Sequence, residues 1–173
     1  MLQYGYKIIS KGENMKLFSK LVLAGILAVS GLSAYNPLDG VKAQKADALK
    51  YVKKFVTANE LKQWIKQNKD FQIVDVREKS EMLAGQIDYI ETIDLPRGKL
   101  YAGVKSGTLK PNKTYVMVCR TGHRALLAAA TLNKFYKFKN VYVLKGGIKA
   151  WIQNGGVVTN GMHLGPVKIQ LTK

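Results

Sequence analysis

Segments that favour strands alternate with segments that favour helices along most of the chain, and this order restricts the fold more than any other feature. The strand-forming segments are short apolar runs: FQIVDV (71–76), TYVMV (114–118) and NVYVL (140–144). The helix-forming segments begin near residues 57, 125 and 148. Near-continuous apolar runs are typical of strands that are covered on both faces. Together with the short connections, they predict an α/β fold in which a small parallel sheet is flanked by helices on both faces.

Capping residues mark several of the helix boundaries. Thr57 and Glu60 have the spacing of a capping box at the start of TANELKQWIKQN, and the apolar pattern of this segment makes Trp64 a core residue rather than a ligand contact. Ser80 and Gly85 predict the start and the end of a shorter helix in SEMLAG. The segment IETIDL predicts one more short strand.

One globular domain with extensions fits a chain of 173 residues of which 47% are hydrophobic. We expect a leader over residues 1–34, a linker over 35–50, the folded domain over 51–158 and a tail over 159–173. The linker is inferred from a proline, a glycine and little periodicity in YNPLDGVKAQKADALK.

The leader has the order of a secretory signal peptide. Lys16 and Lys20 precede the apolar run LVLAGILAV, and the small residues SGLSA follow it and end at Ala34. A signal peptide begins near its basic region, so Met15 is the expected start. This pattern predicts export, to a bacterial periplasm. The alternatives are a buried helix of the domain and an uncleaved membrane anchor, although the apolar run is shorter than the ~20 residues that span a bilayer.

Charge is distributed unevenly between the two halves of the chain. Residues 35–94 contain ten Lys and Arg and ten Asp and Glu, whereas residues 95–173 contain fourteen Lys and Arg and no acidic residue. A positive field of this kind raises the local concentration of small anions. Nucleic acid is not an expected partner, because the aromatic residues near these lysines have the spacing of strand and core positions. A basic surface without any specific role is the alternative.

The only cysteine, Cys119, lies between the strand TYVMV and the helix ALLAAATL, in the loop CRTGHR. Ligand sites in parallel sheets form outside the carboxyl ends of the central strands. Gly122 allows the loop to curl, so that backbone N–H groups and the helix N-terminus surround the sulfur, and Arg120 and Arg124 add positive charge. Such surroundings favour the thiolate, which is a nucleophile. The alternative is an inert, buried cysteine.

Taken together, these motifs resemble the rhodanese-like sulfurtransferases over about residues 54–156. The matching stretches, in chain order, are FVTANELKQWI, IVDVRE, GQI, LPRGKL, VCRTGHRALLAA and NVYVLKGGIKAW. Gln86 departs from the pattern, because the family usually has a histidine there. The loop from Cys119 to Arg124 has the six-residue length of the sulfurtransferases, whereas related phosphatases have one residue more.

The resemblance implies a specific chemistry and specific site residues. Cys119 would take sulfane sulfur from a donor such as thiosulfate or polysulfide, hold it as a persulfide, and pass it to cyanide or a thiol, including a thiol of a partner protein. The resemblance assigns substrate binding to the rest of the active loop: Arg120, Thr121, Gly122, His123 and Arg124. It makes Asp75 and Arg77 structural support.

Some roles remain open on the sequence alone. Arg124 either binds the anionic donor or ties the loop to a carboxylate such as Asp75 or Glu78, and His123 either tunes the mouth of the site or has no special role. No metal or organic cofactor is expected, since one cysteine and two distant histidines do not make a zinc site. Two rival functions remain: a carrier or redox-sensing module without turnover, and a basic protein with an inert cysteine. Contact with a membrane is expected only if the leader is retained.

Overall fold

The computed structural model describes residues 36–160. The chain divides into two compact units, Met1–Asp39 and Gly40–Lys173. Of the first unit only residues 36–39 are described, so the architecture below is that of the second. The predicted signal peptide and nearly all of the predicted tail lie outside the described residues.

Six α-helices and seven strands make up the described chain. The helices are α1 (Pro37–Tyr51), α2 (Ala58–Lys66), α3 (Lys79–Leu83), α4 (Leu100–Lys105), α5 (His123–Tyr136) and α6 (Gly147–Gln153). The strands are β1 (Phe55–Val56), β2 (Gln72–Asp75), β3 (Gln86–Ile87), β4 (Thr92–Asp94), β5 (Tyr115–Val118), β6 (Val141–Leu144) and β7 (Val158–Thr159). A 3₁₀ turn at Arg97–Lys99 leads into α4. None of the helices within residues 36–160 is long and apolar enough to span a bilayer.

Five of the strands form one parallel sheet in the order β1-β6-β5-β2-β4. Strand β5 is central, and all four of its residues are buried. Strands β3 and β7 form a separate antiparallel pair. The predicted α/β class is confirmed, and the carboxyl end of β5 is at the middle of the sheet edge where ligand sites form.

Each face of the sheet has its own hydrophobic core. On one face α1 and α5 contribute Ala48, Ala129 and Leu132 to the core, together with Tyr115 from β5. On the other face α2 and α6 contribute Leu61, Ile148 and Trp151, and Trp64 packs edge-on against Phe71 and Tyr142. Trp64 is therefore a core residue, as predicted.

The segment predicted to be a linker is a helix instead. Helix α1 begins after Asn36, whose Oδ1 accepts the N–H of Leu38 at 3.0 Å, and it extends to Tyr51. Ala48 is its one buried residue. A single small buried side chain in fifteen positions leaves almost no apolar periodicity, which is why the linker predicted over residues 35–50 did not include this helix.

The predicted capping box of α2 is confirmed. For α3 the predicted end before Gly85 is confirmed, since its C-cap is Ala84, but the predicted start at Ser80 is wrong. Thr57 Oγ1 accepts the N–H of Glu60, and a Glu60 carboxylate oxygen accepts the N–H of Thr57, which completes the capping box. Helix α3 begins two residues earlier than a Ser80 cap would place it. Its N-cap is Glu78, whose N–H donates to the Glu81 carboxylate at 3.2 Å. The N-cap residue here takes part through its backbone N–H, so its residue type did not predict the start of the helix.

Candidate active site

Cys119 lies directly after β5, and its sulfur accepts hydrogen bonds from two backbone N–H groups. The N–H of Gly122 donates to Sγ at 3.1 Å, and the N–H of Ala125, in the first turn of α5, donates at 3.4 Å. Cys119 is only 1% exposed, and it is a free thiol. Donors directed at sulfur favour negative charge on it. The loop thus has the anion-stabilising arrangement that its sequence predicts.

The turn from strand to helix depends on Gly122. Its φ of 96° lies in the left-handed region, which side chains other than glycine rarely adopt. This conformation turns the chain into α5 within three residues of Cys119 and directs the Gly122 amide at the sulfur. The predicted role of Gly122 in curling the loop is therefore observed, although its role toward a substrate stays a prediction.

The N-terminus of α6 forms backbone hydrogen bonds with the active loop. The N–H of Ile148 donates to the Cys119 carbonyl at 2.8 Å, and the N–H of Lys149 donates to the Arg120 carbonyl at 3.1 Å. Gly147 has a φ of 61°, and a Cβ there would collide with the carbonyl oxygen of Cys119. These amides fix two consecutive peptide groups of the loop. Sequence reasoning missed them, because the GG pair at the start of α6 allows a close backbone approach but does not say which backbone approaches it.

Arg124 is paired with a carboxylate from helix α3. Its two terminal nitrogens donate to the two carboxylate oxygens of Glu81, at 2.6 Å and 2.7 Å. These bonds lower the pKa of Glu81 to about 2, and they raise the pKa of Arg124 above its usual value. The expected tie between Arg124 and a carboxylate exists, but its partner is Glu81 of α3, not Asp75 or Glu78.

Asp75 and Arg77 form a buried ion pair at the end of β2. Arg77 Nη2 lies 2.6 Å from Asp75 Oδ2, with side-chain exposures of only 6% and 4%. The remaining Arg77 donors bind the carbonyl oxygens of Glu81 at 3.1 Å and Gly85 at 2.7 Å. The pair therefore fixes the turn that carries Glu81, which in turn holds Arg124. This arrangement agrees with the predicted structural role of Asp75 and Arg77.

The other predicted site residues lie on the outer part of the loop. Arg120 and Thr121 are exposed, and His123 is half-buried at the first position of α5. Arg120 has no side-chain hydrogen bond or ion pair with another residue of the described chain. It is thus available to an anion in a way that Arg124, already bound to Glu81, is not.

Gln86, at the position where the family usually has a histidine, is buried in β3 and donates to a carboxylate oxygen of Asp94. It links β3 to the end of β4 and does not belong to the loop. Over residues 36–160, no three His, Cys, Asp or Glu side chains come together as a metal site would require.

Comparison with known proteins agrees with this geometry. The model of the rhodanese-like domain matches residues 57–154, which include the whole Cys119 loop. The probable adenylyltransferase/sulfurtransferase MoeZ of Mycobacterium tuberculosis is 31% identical over 124 residues, which cover 71% of this chain but only 30% of MoeZ. The putative sulfurtransferase YtwF of Bacillus subtilis is 34% identical over 101 residues, which cover 57% of this chain and 89% of YtwF.

A solved structure shares the fold. The polysulfide-sulfur transferase homodimer of Wolinella succinogenes is 31% identical, with a TM-score of 0.57, and the match covers 73% of this chain and 88% of that one. The sheet order, the cysteine at the end of the central strand and the matched family model all lead to one conclusion: the chain belongs to the rhodanese-like domain family.

Proposed function

We propose that this protein is a rhodanese-type sulfurtransferase, which moves sulfane sulfur from an anionic donor such as thiosulfate or polysulfide through Cys119 to a cyanide or thiol acceptor. The observation that carries the proposal is the pair of N–H groups, from Gly122 and Ala125, that donate to Sγ of Cys119. The sulfurtransferase names of relatives at 31% and 34% identity support it.

The proposed loading step uses this geometry. The Cys119 thiolate attacks the outer sulfur of thiosulfate, the bond between the two donor sulfurs breaks, and sulfite leaves with the electron pair. The product is a persulfide on Cys119, whose negative charge the loop N–H groups stabilise. The exposed Arg120 is the residue that we propose to bind the donor while it approaches.

The unloading step regenerates the thiolate. The acceptor attacks the terminal sulfur of the persulfide, the bond to Sγ breaks, and its electron pair stays on Sγ. Because loading and unloading use the same cysteine, the kinetics should be ping-pong. The sequence of events requires no metal or organic cofactor.

The test compares the protein with Cys119→Ser, since the smaller, less nucleophilic oxygen keeps the loop geometry. Thiosulfate:cyanide sulfurtransferase activity is measured, and intact mass is recorded after incubation with thiosulfate. We expect turnover and a gain of one sulfur atom in the protein, and neither in Cys119→Ser.

Other outcomes have definite meanings. Retained activity in Cys119→Ser would contradict the proposal. A sulfur adduct without turnover would replace it by the carrier function, and hydrolysis of p-nitrophenyl phosphate in place of sulfur transfer would replace it by a phosphatase.

We also propose that the protein is exported, to a bacterial periplasm. The support is the order of charged, apolar and small residues that ends at Ala34. Sequencing of the N-terminus after expression with its own leader should give a mature chain that begins at Ala34 or Tyr35. An intact leader in the purified protein would contradict cleavage and would favour an uncleaved anchor.

A further inference from the structure

The C-terminal ends of α1 and α5 lie side by side, at the other end of α5 from the active loop. Asn133 Nδ2 donates to the Tyr51 carbonyl at 2.9 Å, and Lys134 Nζ lies 4.6 Å from the centre of the Tyr51 ring. Helix α5 begins beside the active loop at His123 and ends at Tyr136, so it extends about 20 Å at 1.5 Å per residue. A partner that binds these helix ends is therefore well away from the sulfur.

Cations and aromatic rings share this end of the two helices. Lys134 Nζ also lies 5.2 Å from the centre of the Phe135 ring. On the turn before β6, the Lys139 carbonyl accepts the Nζ of Lys54 at 3.0 Å, so Lys139 lies beside the segment that follows α1. Of the six side chains that we call the basic-aromatic surface, Lys134 is half-buried and the others are exposed: Tyr51, Lys53, Lys134, Phe135, Lys137 and Lys139.

The positive charge of the basic-aromatic surface is mostly uncompensated. Asp47 contacts it through Lys134 at 3.7 Å, but Asp47 also pairs with Lys50 at 3.2 Å. The other three lysines of the surface form no ion pair with any residue between positions 36 and 160. Helix α5 and strand β6 contain no Asp or Glu at all. The surface therefore favours an anionic partner.

Exposed rings among these lysines indicate more than a solvated basic face. Phe135 is 65% exposed and Tyr51 is 36% exposed, each in the last turn of its helix. Aromatic rings of this size gain free energy when they leave water. A partner that is anionic and also offers an apolar region would use both the lysines and the rings.

The type of cation distinguishes a bilayer from an acidic protein. All four cations of the basic-aromatic surface are lysines, and Arg97, which lines the same groove as Tyr51 and Phe135, is the one arginine beside them among the described residues. Lysine is depleted from protein–protein interfaces, where arginine is enriched. Lysines around exposed aromatic residues are typical of surfaces that lie at the headgroup level of anionic membranes.

We propose that the basic-aromatic surface binds the headgroup region of an anionic phospholipid bilayer. The rings of Phe135 and Tyr51 enter the interface, and the lysines lie near lipid phosphates. The active loop, at the other end of α5, stays in water. The folded domain makes this contact, so it is distinct from the membrane contact of a retained leader, and it does not depend on sulfur transfer.

The position-specific test places a tryptophan in the surface. Phe135→Trp is made in the full chain, and its fluorescence is measured with vesicles of phosphatidylglycerol and phosphatidylcholine that are brominated near the headgroup end of the acyl chains. Ile90→Trp is the matched control, because Ile90 is 96% exposed and lies between β3 and β4, outside the surface. Wild type supplies the background from Trp64 and Trp151.

We expect quenching above background for Phe135→Trp and none for Ile90→Trp. Both variants carry the same leader, so a leader in the bilayer does not account for a difference between them. Equal quenching of the two variants, or none in either, would overturn the proposal. No quenching in either would leave an acidic protein as the occupant of the surface.

A second test measures the contribution of charge. In the Phe135→Trp chain, quenching is titrated with lipid after Lys137→Gln and Lys139→Gln are combined. The control pair is Lys62→Gln with Lys66→Gln in α2, which packs on the other face of the sheet and gives the same change in net charge. Each lysine near an anionic bilayer contributes about fivefold in partition, so the surface pair should weaken binding about 25-fold.

The control pair should weaken binding no more than about threefold, since charges remote from the bilayer are screened by salt. Vesicles of phosphatidylcholine alone should bind wild type and both pairs equally weakly. Equal losses in the two pairs would mean that net charge, and not this surface, determines binding. Equal quenching of Phe135→Trp by charged and uncharged vesicles would likewise contradict a site for anionic lipid.

Discussion

At the scale of single residues, the two arginines of the active loop have different tasks. Arg124 is held by Glu81 through two hydrogen bonds and supports the loop, whereas Arg120, the residue after Cys119, is exposed to solvent. A bidentate pair of this kind is directional as well as attractive, so it fixes the position of α5 relative to α3. Glu81 could not be identified from the sequence, because two carboxylates, Glu78 and Glu81, follow β2 within six residues and only the turn held by Arg77 selects between them.

The Glu81–Arg124 pair predicts a pH dependence of stability. The pKa of Glu81 is about 2 in the folded protein, against an ordinary value of 4.5. Between these values the unfolded chain binds more protons than the folded one. The stabilisation is therefore complete above pH 4.5 and is lost as the pH falls toward 2.

Glu81→Gln removes this contribution. In urea unfolding measured from pH 7 to pH 2, wild type should lose more stability on acidification than Glu81→Gln, and the two curves should converge near the acidic end. Parallel curves across the whole range would mean that the pair contributes no pH-dependent stability.

At the scale of elements, the active loop connects β5 to α5, and the start of α6 contacts it. Helix α5 supplies the Ala125 amide to the sulfur, and α6 supplies the Ile148 and Lys149 amides to the loop carbonyls. The loop is thus supported from both sides by helix N-termini, whose free N–H groups require acceptors. Strands β2, β5 and β6 and the α5 segment could be predicted because their apolar runs are continuous, whereas the two-residue strands β1, β3 and β7 have no such run. The α6 contact could not, since it is a backbone contact between residues far apart in sequence.

Gly147→Ala tests the contact between the start of α6 and the active loop. The φ of 61° alone costs a non-glycine residue about 1 kcal/mol or more, and the new Cβ would meet the Cys119 carbonyl oxygen. We expect a clear fall in the free energy of unfolding and a lower rate of persulfide formation, because the carbonyl must move and the sulfur moves with it. Gly98→Ala is the matched control, with nothing within 4 Å of the added Cβ, and should change stability by no more than about 0.5 kcal/mol. Equal stability of the two variants would exclude a tight fit at Gly147.

At the scale of the whole molecule, positive charge is concentrated in the half of the chain that carries the site. Residues 95–173 contain fourteen Lys and Arg and no acidic residue. The sequence made this asymmetry visible without a structure, as it did the α/β class and the place of the cysteine. Helix α1 was not visible, because only Ala48 is buried along its length and one alanine carries no pattern. Ala48 in the core and the Tyr51 carbonyl, which accepts a hydrogen bond from Asn133 Nδ2, attach α1 to the domain.

The basic half predicts that donor use depends on salt. Charges at the surface act over about 10 Å at 0.1 M salt and about 3 Å at 1 M. The kcat/KM for thiosulfate should therefore fall several-fold, up to about tenfold, as ionic strength rises from 0.05 M to 0.5 M. The KM of an uncharged thiol acceptor provides the control and should stay constant. A donor kcat/KM independent of salt would mean that the charge serves another purpose.

The strand order also determines when the site can come into existence. Edge strand β1 pairs with β6, and β3 pairs with β7. Both β1 and β3 are therefore synthesised well before the strands with which they pair. Pairings so distant in sequence slow folding, because a large loop must close before any contact is gained. A nascent chain that ends before α6 has the cysteine but lacks the amides that hold its loop. The loop carbonyls of Cys119 and Arg120 therefore gain the amides that hold them only when the last few turns of the domain have been added.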